Sequence, residues 1–207
     1  IFPRDNNGVQ NHTPLPPPQV LDTLSEIKDS KKLSETKRQA LAAFIKEYAL
    51  SYGLGTASPA EIDRVNILHA THAAMHRALD ETVTKAKARS VPIRNVVVDG
   101  DRFEPYLLPE GIRCEDADAF WLPYRCVARG DAELLHVAAA SILAKTHRDA
   151  LVREHCERDA LLDERYGFLS NKAYGSSRHL HGLREYGPTV HHRFSYAPVK
   201  REFQRRV

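Results

Sequence analysis

The chain has 207 residues, of which 42% are hydrophobic and 28% charged, a composition typical of a globular domain with a core of its own. No run approaches the roughly 20 apolar residues of a membrane-spanning helix, and the first residues lack the basic-then-apolar order of a signal peptide, so we expect a cytoplasmic protein. The 3 cysteines form no CxxC pair for zinc or redox chemistry, and a net charge of +3 is too small to indicate nucleic-acid binding by itself.

The first predicted elements are a loop, a helix and a short strand. Residues 5–20 contain an Asn-Asn-Gly turn and several prolines, which together predict a surface loop. Apolar residues recur at helical spacing from Ser34 to Tyr48 and predict a helix there. The short run 54–57, which follows Gly53, predicts a strand.

Two helical segments are predicted next. Ser58 followed by Pro59 is a strong helix start, and Asn66 caps or redirects a second helical pattern that begins at Ile67. This second pattern carries a stripe of three histidines, which we interpret as a solvated helix face. A metal site is the alternative, and it lacks an acidic partner beside the stripe. The stripe consists of His69, His72 and His76.

Two aspartates stand at the ends of predicted core elements. The apolar run 93–98 predicts a buried strand that ends at Asp99, and residues 122–128 predict a second strand. Asp131 then opens a long helix, expected from near residue 132 to about 158. Active-site side chains of α/β proteins often occupy such positions. In the alternative interpretation, Asp131 only caps its helix and Asp99 forms an Asx turn with Gly100.

The remaining chain predicts helices and a basic, aromatic tail. Ser176 or Ser177 caps a short helix that runs to Tyr186 and ends at Gly187. Because helices alternate with short buried strands and no repeat is present, we expect an α/β layered fold in a single domain.

Several segments, in matching order and spacing, resemble ribonuclease HII. The resemblance covers nearly the whole chain. Its segments are Asp29-Ser-Lys-Lys-Leu-Ser34, Glu61-Ile-Asp-Arg-Val-Asn-Ile-Leu68, Val97-Val-Asp-Gly100, Gly130-Asp-Ala132, Ala138-Ala-Ala-Ser-Ile-Leu-Ala-Lys145 and Gly187-Pro-Thr-Val-His191, followed by Arg193-Phe194 and Ala197-Pro-Val199.

The resemblance implies a ribonuclease-H-like fold: a mixed central β-sheet flanked by helices, within one domain spanning residues 1–207. A C-terminal helical part, from about residue 160 to 207, would help to bind the substrate duplex. The resemblance also implies four clustered carboxylates that bind Mg²⁺ or Mn²⁺, hard cations that prefer oxygen ligands. Asp99 and Asp131 match two of these catalytic, metal-binding positions.

The chain departs from the family pattern at its beginning. The family motif Asp-Glu-Ala-Gly-Arg-Gly, which would supply the other two carboxylates, is not in the sequence. Ile1-Phe2-Pro3 looks like the end of the strand that follows this motif. We therefore expect the first strand to be missing, and favour a fragment over a natural truncation.

The resemblance also identifies candidate substrate contacts. Tyr174 matches the tyrosine that stacks on the sugar at the RNA–DNA junction, with a packing tyrosine as the alternative, and Ala173 stands where the family usually has glycine. Lysines at matching positions are expected to face phosphates, the alternative being solvated lysines. They are Lys31, Lys32 and Lys145, and Arg193 is a weaker candidate of the same kind.

The function implied is that of an endonuclease for RNA/DNA hybrids. It would hydrolyse the RNA strand, including single ribonucleotides embedded in DNA during ribonucleotide excision repair, and leave 3′-hydroxyl and 5′-phosphate ends. The alternative is an inactive remnant that still binds hybrids. A Rossmann-like nucleotide-binding enzyme is disfavoured because no glycine-rich loop follows a predicted strand. We expect a monomer without a membrane partner, for which contact with a sliding clamp is a hypothesis.

Overall fold

The computed structural model describes residues 18–114 and 120–206. Within these ranges, a 3₁₀ turn at Ser30–Lys32 lies between the first and the second α-helix. The helices and strands are, in chain order, α1 (Pro18–Ser25), α2 (Glu35–Tyr48), α3 (Pro59–Ala88), β1 (Val96–Asp99), β2 (Tyr124–Val127), α4 (Gly130–Glu133), α5 (Leu135–Arg158), α6 (Leu161–Tyr166), α7 (Phe168–Asn171), α8 (Ser177–Tyr186) and α9 (Ala197–Gln204).

The chain divides into two compact units. Among the described residues, the first, here called the sheet unit, comprises the chain up to Leu54 together with Ala78–Thr146. The second, here called the helical unit, comprises Gly55–Arg77 and the chain from His147 onward. The sheet unit contains both strands, whereas the helical unit contains α6 to α9.

The sheet is small and parallel. β1 and β2 pair in parallel, with Val96 opposite Tyr124 and Asp99 opposite Val127. Both predicted strands are therefore confirmed, with narrower bounds. In the part of the chain that the structure describes, these two strands make up the whole named sheet, and the fold is α/β with mostly helical structure.

The core of the sheet unit joins α2 to α5. Leu41 and Ile45 of α2 are buried together with Ala138, Ala139 and Ile142 of α5. Small side chains let one helix approach another closely, so the alanine run permits this contact while Ile142 fills the space between the helices. The packing fixes the direction of α5, on which Ser141 and Lys145 lie.

Two local predictions fail near the beginning of the chain. Residues 18–20 were expected in a surface loop, but they begin α1, and Val20 is buried; residues 5–17 lie outside the described ranges. Proline is tolerated in the first turn of a helix, so Pro18 starts α1 instead of preventing it. Residues 54–57 form no strand, because the N–H of Leu54 donates to the carboxylate of Glu81 (2.8 Å) and not to another strand.

Helix α3 contains the bend that Asn66 predicts. Asn66 has φ 70° and ψ 168°, and its Oδ1 accepts hydrogen bonds from the N–H groups of Leu68 (2.9 Å) and His69 (3.2 Å). The expected solvated histidine face is wrong at His72, which is buried. Helical periodicity predicted the stripe but could not show which of its edges is buried.

The predicted long helix after β2 is also interrupted. Leu134 adopts an extended conformation (φ −122°, ψ 119°), so Gly130–Glu133 closes as the separate single-turn helix α4. Helix α5 then ends at Arg158, where the sequence predicted its end. No helix within 18–114 and 120–206 combines the length and the apolar character needed to span a membrane.

Candidate active site

Asp99 lies at the C-terminal end of β1. Its Oδ1 accepts a hydrogen bond from the backbone N–H of Gly130 (2.8 Å), 31 positions further along the chain. Parallel pairing brings the end of β1 beside the end of β2, and the N–H of Gly100 continues the ladder to the carbonyl of Val127 (3.1 Å). The bond of Oδ1 therefore runs to the start of α4 and not into the turn at Gly100.

Asp131 is the second residue of α4 and is buried. The N-cap of α4 is Arg129 in a left-handed conformation (φ 60°), so the interpretation of Asp131 as the helix cap is wrong. A methyl group on Gly130 would lie 3.4 Å from Cγ1 of Val137, which shows how tightly α4 approaches α5. The two aspartates thus flank one short turn, with the Asp99 carboxylate bonded to the residue that precedes Asp131.

A lysine stands beside the buried aspartate. Nζ of Lys31 lies 3.9 Å from Oδ2 of Asp131, and the Lys31 side chain is 81% exposed whereas that of Asp131 is 12% exposed. Lys32 is exposed as well. The structure therefore brings Lys31, Asp99 and Asp131 into one region of the sheet unit.

The segment that carries Lys31 is held by three separate groups. Asp29 Oδ1 accepts a hydrogen bond from the N–H of Lys31 (3.0 Å), and the buried Ser30 hydroxyl bonds to that of Ser141 on α5 (2.9 Å). Nη1 of the buried Arg38 donates to the carbonyls of Ser30 (3.1 Å) and Leu33 (3.0 Å). These bonds link two of the family-like segments directly.

Lys145 belongs to the same unit. It lies four residues after Ser141 on α5, hence on the same face of that helix, and it is partly buried. The Ser30–Ser141 bond therefore fixes the helix turn next to Lys145.

Tyr174 lies in the helical unit, in the loop between α7 and α8. Its side chain is exposed, which argues against a packing role, and one face of the ring is covered by the guanidinium of Arg148 at 4.5 Å from the ring centroid. Arg148 Nη1 also donates to the carbonyl of Lys172 (2.6 Å). Sequence reasoning missed Arg148, because nothing in the local pattern links α5 to this loop.

Arg193 has an aromatic partner in the same unit. Its guanidinium lies 4.7 Å from the ring centroid of Tyr196. Both residues line a cavity of about 480 Å³ whose other walls come from the bend in α3. These further lining residues are Ile62, Asp63, Arg64, Val65, Asn66, Ile67 and Ser195.

Asp63 anchors the segment beside Arg193. Its carboxylate accepts hydrogen bonds from the N–H groups of Phe194 (2.7 Å) and Ser195 (2.8 Å). Burial alone would raise the pKa of Asp63, but the bonds from Ser195 and Phe194 outweigh it and lower that pKa. Asp63 lies within one of the family-like segments, and the sequence alone indicates no role for it.

The donor set fits part of a divalent-metal site. Carboxylate oxygens are the ligands that Mg²⁺ and Mn²⁺ prefer, and Asp99 and Asp131 supply two of them. Within residues 18–114 and 120–206, however, no group of three or more His, Cys, Asp or Glu side chains is placed to hold an ion. The two aspartates therefore fit such an ion only together with further ligands.

Comparisons with known proteins show the family of this chain. The family model for ribonuclease HII matches residues 18–199. A ribonuclease HII of Neisseria meningitidis serogroup C is 38% identical over 186 residues, which is 90% of this chain and 83% of that protein. A serogroup B relative with the same name is 38% identical over 183 residues, covering 88% and 81%.

A solved structure supports the fold. The ribonuclease H2 crystal structure from Pyrococcus horikoshii OT3 aligns with a TM-score of 0.59 and 20% identity over 90% of this chain and 83% of that one. The sequence relatives and the matched family model together show that this chain belongs to the ribonuclease HII family.

Proposed function

We propose that the protein is an endonuclease that hydrolyses the RNA strand of RNA/DNA hybrids. The proposal includes single ribonucleotides embedded in DNA as targets, and 3′-hydroxyl and 5′-phosphate ends as products. The observation that carries it is the hydrogen bond between Asp99, at the end of β1, and Gly130, the residue that precedes Asp131 in α4. Membership of a nuclease family supports the same reaction class.

The ribonuclease HII family is generally dependent on divalent metal ions, and Asp99 and Asp131 are the residues of this chain that would hold Mg²⁺ or Mn²⁺. Ions bound there would supply activation of water and neutralise charge on the leaving oxygen. Asp99 contributes its second oxygen, since Oδ1 already accepts the Gly130 N–H. Asp131 contributes a carboxylate that is largely removed from solvent.

Lys31 would bind the phosphate backbone near these carboxylates. Its ammonium group is exposed and lies close to Asp131, so a phosphate that approaches this edge meets a positive charge before it meets the acidic pair. Lys32 and Lys145 are proposed to contact neighbouring phosphates. Such contacts fix the position of the duplex and do not read its sequence.

Tyr174 and Arg193 are proposed as substrate contacts of the helical unit. Arg148 lies over one face of the Tyr174 ring while the Tyr174 side chain is exposed to solvent, and an exposed tyrosine ring suits stacking on a sugar beside a 2′-hydroxyl. Arg193 would contact a phosphate from the edge of the cavity near Asn66. Arg148 is added to the proposal as the residue that supports Tyr174.

The proposal extends to cellular setting and partners. A substrate made of hybrid duplexes and ribonucleotide-containing DNA suits a cytoplasmic bacterial-type repair enzyme that acts as a monomer. Contact with a sliding clamp remains part of the proposal, to be tested by copurification with that clamp.

The test is a cleavage assay on a duplex with one embedded ribonucleotide, in Mg²⁺ or Mn²⁺. We would compare this chain, a form extended upstream by the family's Asp-Glu strand, and the extended form with Asp99→Asn or Asp131→Asn. Asparagine keeps an oxygen that can accept the Gly130 N–H, so Asp99→Asn removes charge with little change in geometry. Asp101→Asn is the matched control, because Asp101 is exposed two residues away.

We expect the extended form to cleave the duplex and Asp101→Asn to remain active. Asp99→Asn and Asp131→Asn should each lower the cleavage rate at least about a hundredfold, because each removes a group needed for metal catalysis. Full activity of Asp99→Asn would overturn the site assignment. Binding of the hybrid without cleavage by every form would instead support the remnant that only binds hybrids.

A further inference from the structure

Two buried histidines of the helical unit contact each other. His179 of α8 and His192, which precedes α9, are 7% and 4% exposed, and their Nε2 atoms lie 3.0 Å apart. The rings of Tyr166 and Phe168 pack around both imidazoles. None of the proposed catalytic steps uses this pair. Buried polar groups need hydrogen-bond partners, so the bonds of these two imidazoles require an explanation.

The positions of the protons follow from one backbone donor. The N–H of Thr189 points to Nδ1 of His192 (3.0 Å), and a backbone N–H can only donate. Nδ1 of His192 is therefore an acceptor, so the neutral ring carries its proton on Nε2 and donates it to Nε2 of His179. His179 then carries its proton on Nδ1, which donates to the carbonyl of Tyr174 (2.9 Å).

The hydrogen bonds thus form one chain with a single direction. It begins at the Thr189 N–H, passes through His192 and His179, and ends on the backbone of Tyr174. Tyr174 is the residue proposed to stack on the substrate, and its ring is held separately by Arg148. The histidine pair holds the backbone of Tyr174 just as Arg148 holds its ring.

The loop before Tyr174 contains two residues with strained backbone conformations. Lys172 and Ala173 both adopt left-handed conformations, with φ 51° and 57°. Non-glycine residues in this region carry strain of about 1 kcal/mol or more, which surrounding contacts must offset. A loop fixed beforehand loses less conformational freedom when it contacts a duplex.

We propose that His179 and His192 are positioning residues that set the orientation of Tyr174 for binding to RNA-containing duplexes. The proposal rests on the proposed substrate role of Tyr174. It adds a specific requirement: His179 is needed as a hydrogen-bond donor at Nδ1, and His192 as the group that forces this tautomer on His179.

The first test measures the tautomers directly. In the unmodified chain at neutral pH, long-range ¹H–¹⁵N NMR spectra of the imidazoles are expected to show the Nδ1–H form for His179 and the Nε2–H form for His192. The same tautomer at both residues, or the reversed pair, would contradict the proposal whether or not any variant folds.

The second test compares substitutions that differ in one donor. His179→Asn keeps a side-chain N–H close to the position of Nδ1, whereas His179→Leu removes the donor at similar size. We would measure Kd for a duplex with one ribonucleotide in the absence of divalent ions, so that cleavage does not interfere. We expect His179→Leu to raise Kd about tenfold, as for the loss of one buried hydrogen bond, and His179→Asn to restore binding to within about threefold.

The variant Tyr174→Ala distinguishes a failure of the positioning role from a failure of the proposed substrate role of Tyr174. If Tyr174→Ala weakens binding and His179→Leu does not, or if His179→Asn is as weak as His179→Leu, the positioning role is overturned while the substrate role of Tyr174 stands. If Tyr174→Ala leaves Kd unchanged, the substrate role fails and the positioning role falls with it.

Discussion

Ser195 donates two hydrogen bonds to the same carboxylate oxygen of Asp63, one from its backbone N–H (2.8 Å) and one from its hydroxyl (2.5 Å). The two residues are 132 positions apart, and the second oxygen of Asp63 accepts the N–H of Phe194. One carboxylate therefore fixes the segment that precedes α9 to the first turns of α3. Both segments belong to the stretches that resemble the family.

Asp63→Ala is expected to destabilise the protein by about 2 to 3 kcal/mol, because it leaves two backbone N–H groups without their charged acceptor. Urea unfolding monitored by circular dichroism measures the change. Asp22→Ala in α1 is the control, since Asp22 is exposed and its replacement should change stability by less than about 0.5 kcal/mol. Equal stability of the two variants would show that the Asp63 bonds contribute little.

Lys31→Ala is expected to weaken hybrid binding by a similar factor for every duplex sequence, because an ammonium group contacts phosphate and not bases. The slope of log Kd against log salt concentration should decrease by about one, the value for one lost phosphate contact. Lys46→Ala is the control, because Lys46 is exposed at the end of α2. An unchanged slope for Lys31→Ala would remove Lys31 from the interface.

Ala173→Gly is expected to stabilise the protein by about 0.5 to 1 kcal/mol, because glycine adopts a φ of 57° without the strain that a Cβ imposes. Ala144→Gly provides a control of opposite sign: Ala144 is exposed within α5, where glycine costs about 1 kcal/mol. Thermal unfolding of the two variants distinguishes them. Destabilisation by both would mean that the Ala173 conformation carries no strain.

Stability should fall in mild acid because of the buried histidine pair. Burial, followed by the neighbouring His179, lowers the pKa of His192 to about 4, and burial also lowers the pKa of His179. Above pH 6.5, the ordinary pKa of histidine in an unfolded chain, His192 is neutral in both the folded and the unfolded protein, and the stability that the histidine pair contributes is fully present. As pH falls below 6.5 the unfolded chain binds protons that folded His192 does not, so His192 alone is expected to lower the stability by ~3 kcal/mol between pH 6.5 and about pH 4.

Unfolding free energies measured from pH 7 to pH 4 test this expectation. His192→Asn should give a flatter pH dependence than the unmodified protein, whereas His181→Asn should not, because His181 is exposed on α8. Tyr166 and His191 are the other titratable groups near His192, and Tyr166 is neutral over this range because the ordinary pKa of tyrosine, about 10, lies far above it and burial raises that pKa further. Identical pH profiles for both variants would exclude the pair as the cause.

Local rules predicted the helix starts well. The sequence predicts Ser58, and Ser176 or Ser177, as capping residues, and the side chains of Ser58 and Ser176 each accept the backbone N–H three positions further on. Ser34, predicted only as the start of a helical pattern, caps α2 in the same way. Asn66 likewise caps the second part of α3. Such bonds depend on residues close in sequence, so the sequence contains all the information needed to predict them.

Predictions that depended on distant contacts failed. The backbone N–H of Leu54 donates a hydrogen bond to Glu81, 27 positions away, and Leu134 adopts an extended conformation at the end of α4. For the site, family resemblance identified Asp99 and Asp131, but only strand pairing shows why the Asp99 carboxylate reaches Gly130. Arg148 was missed for the same reason, because its contact with Tyr174 depends on tertiary packing.

The buried Arg38 gives the Lys31 segment a different response to acid from that of the Tyr174 loop. A guanidinium stays charged and serine hydroxyls stay neutral between pH 4 and 8, so the bonds of Arg38 to Ser30 and Leu33 and the bond of Ser30 to Ser141 do not titrate there. The Tyr174 loop instead depends on two imidazoles whose pKa values burial lowers, so they stay neutral only while they remain buried. Because an imidazole that leaves its buried position binds a proton more readily, we expect mild acid to loosen the Tyr174 loop, the proposed sugar contact, before it affects the Lys31 segment, the proposed phosphate contact.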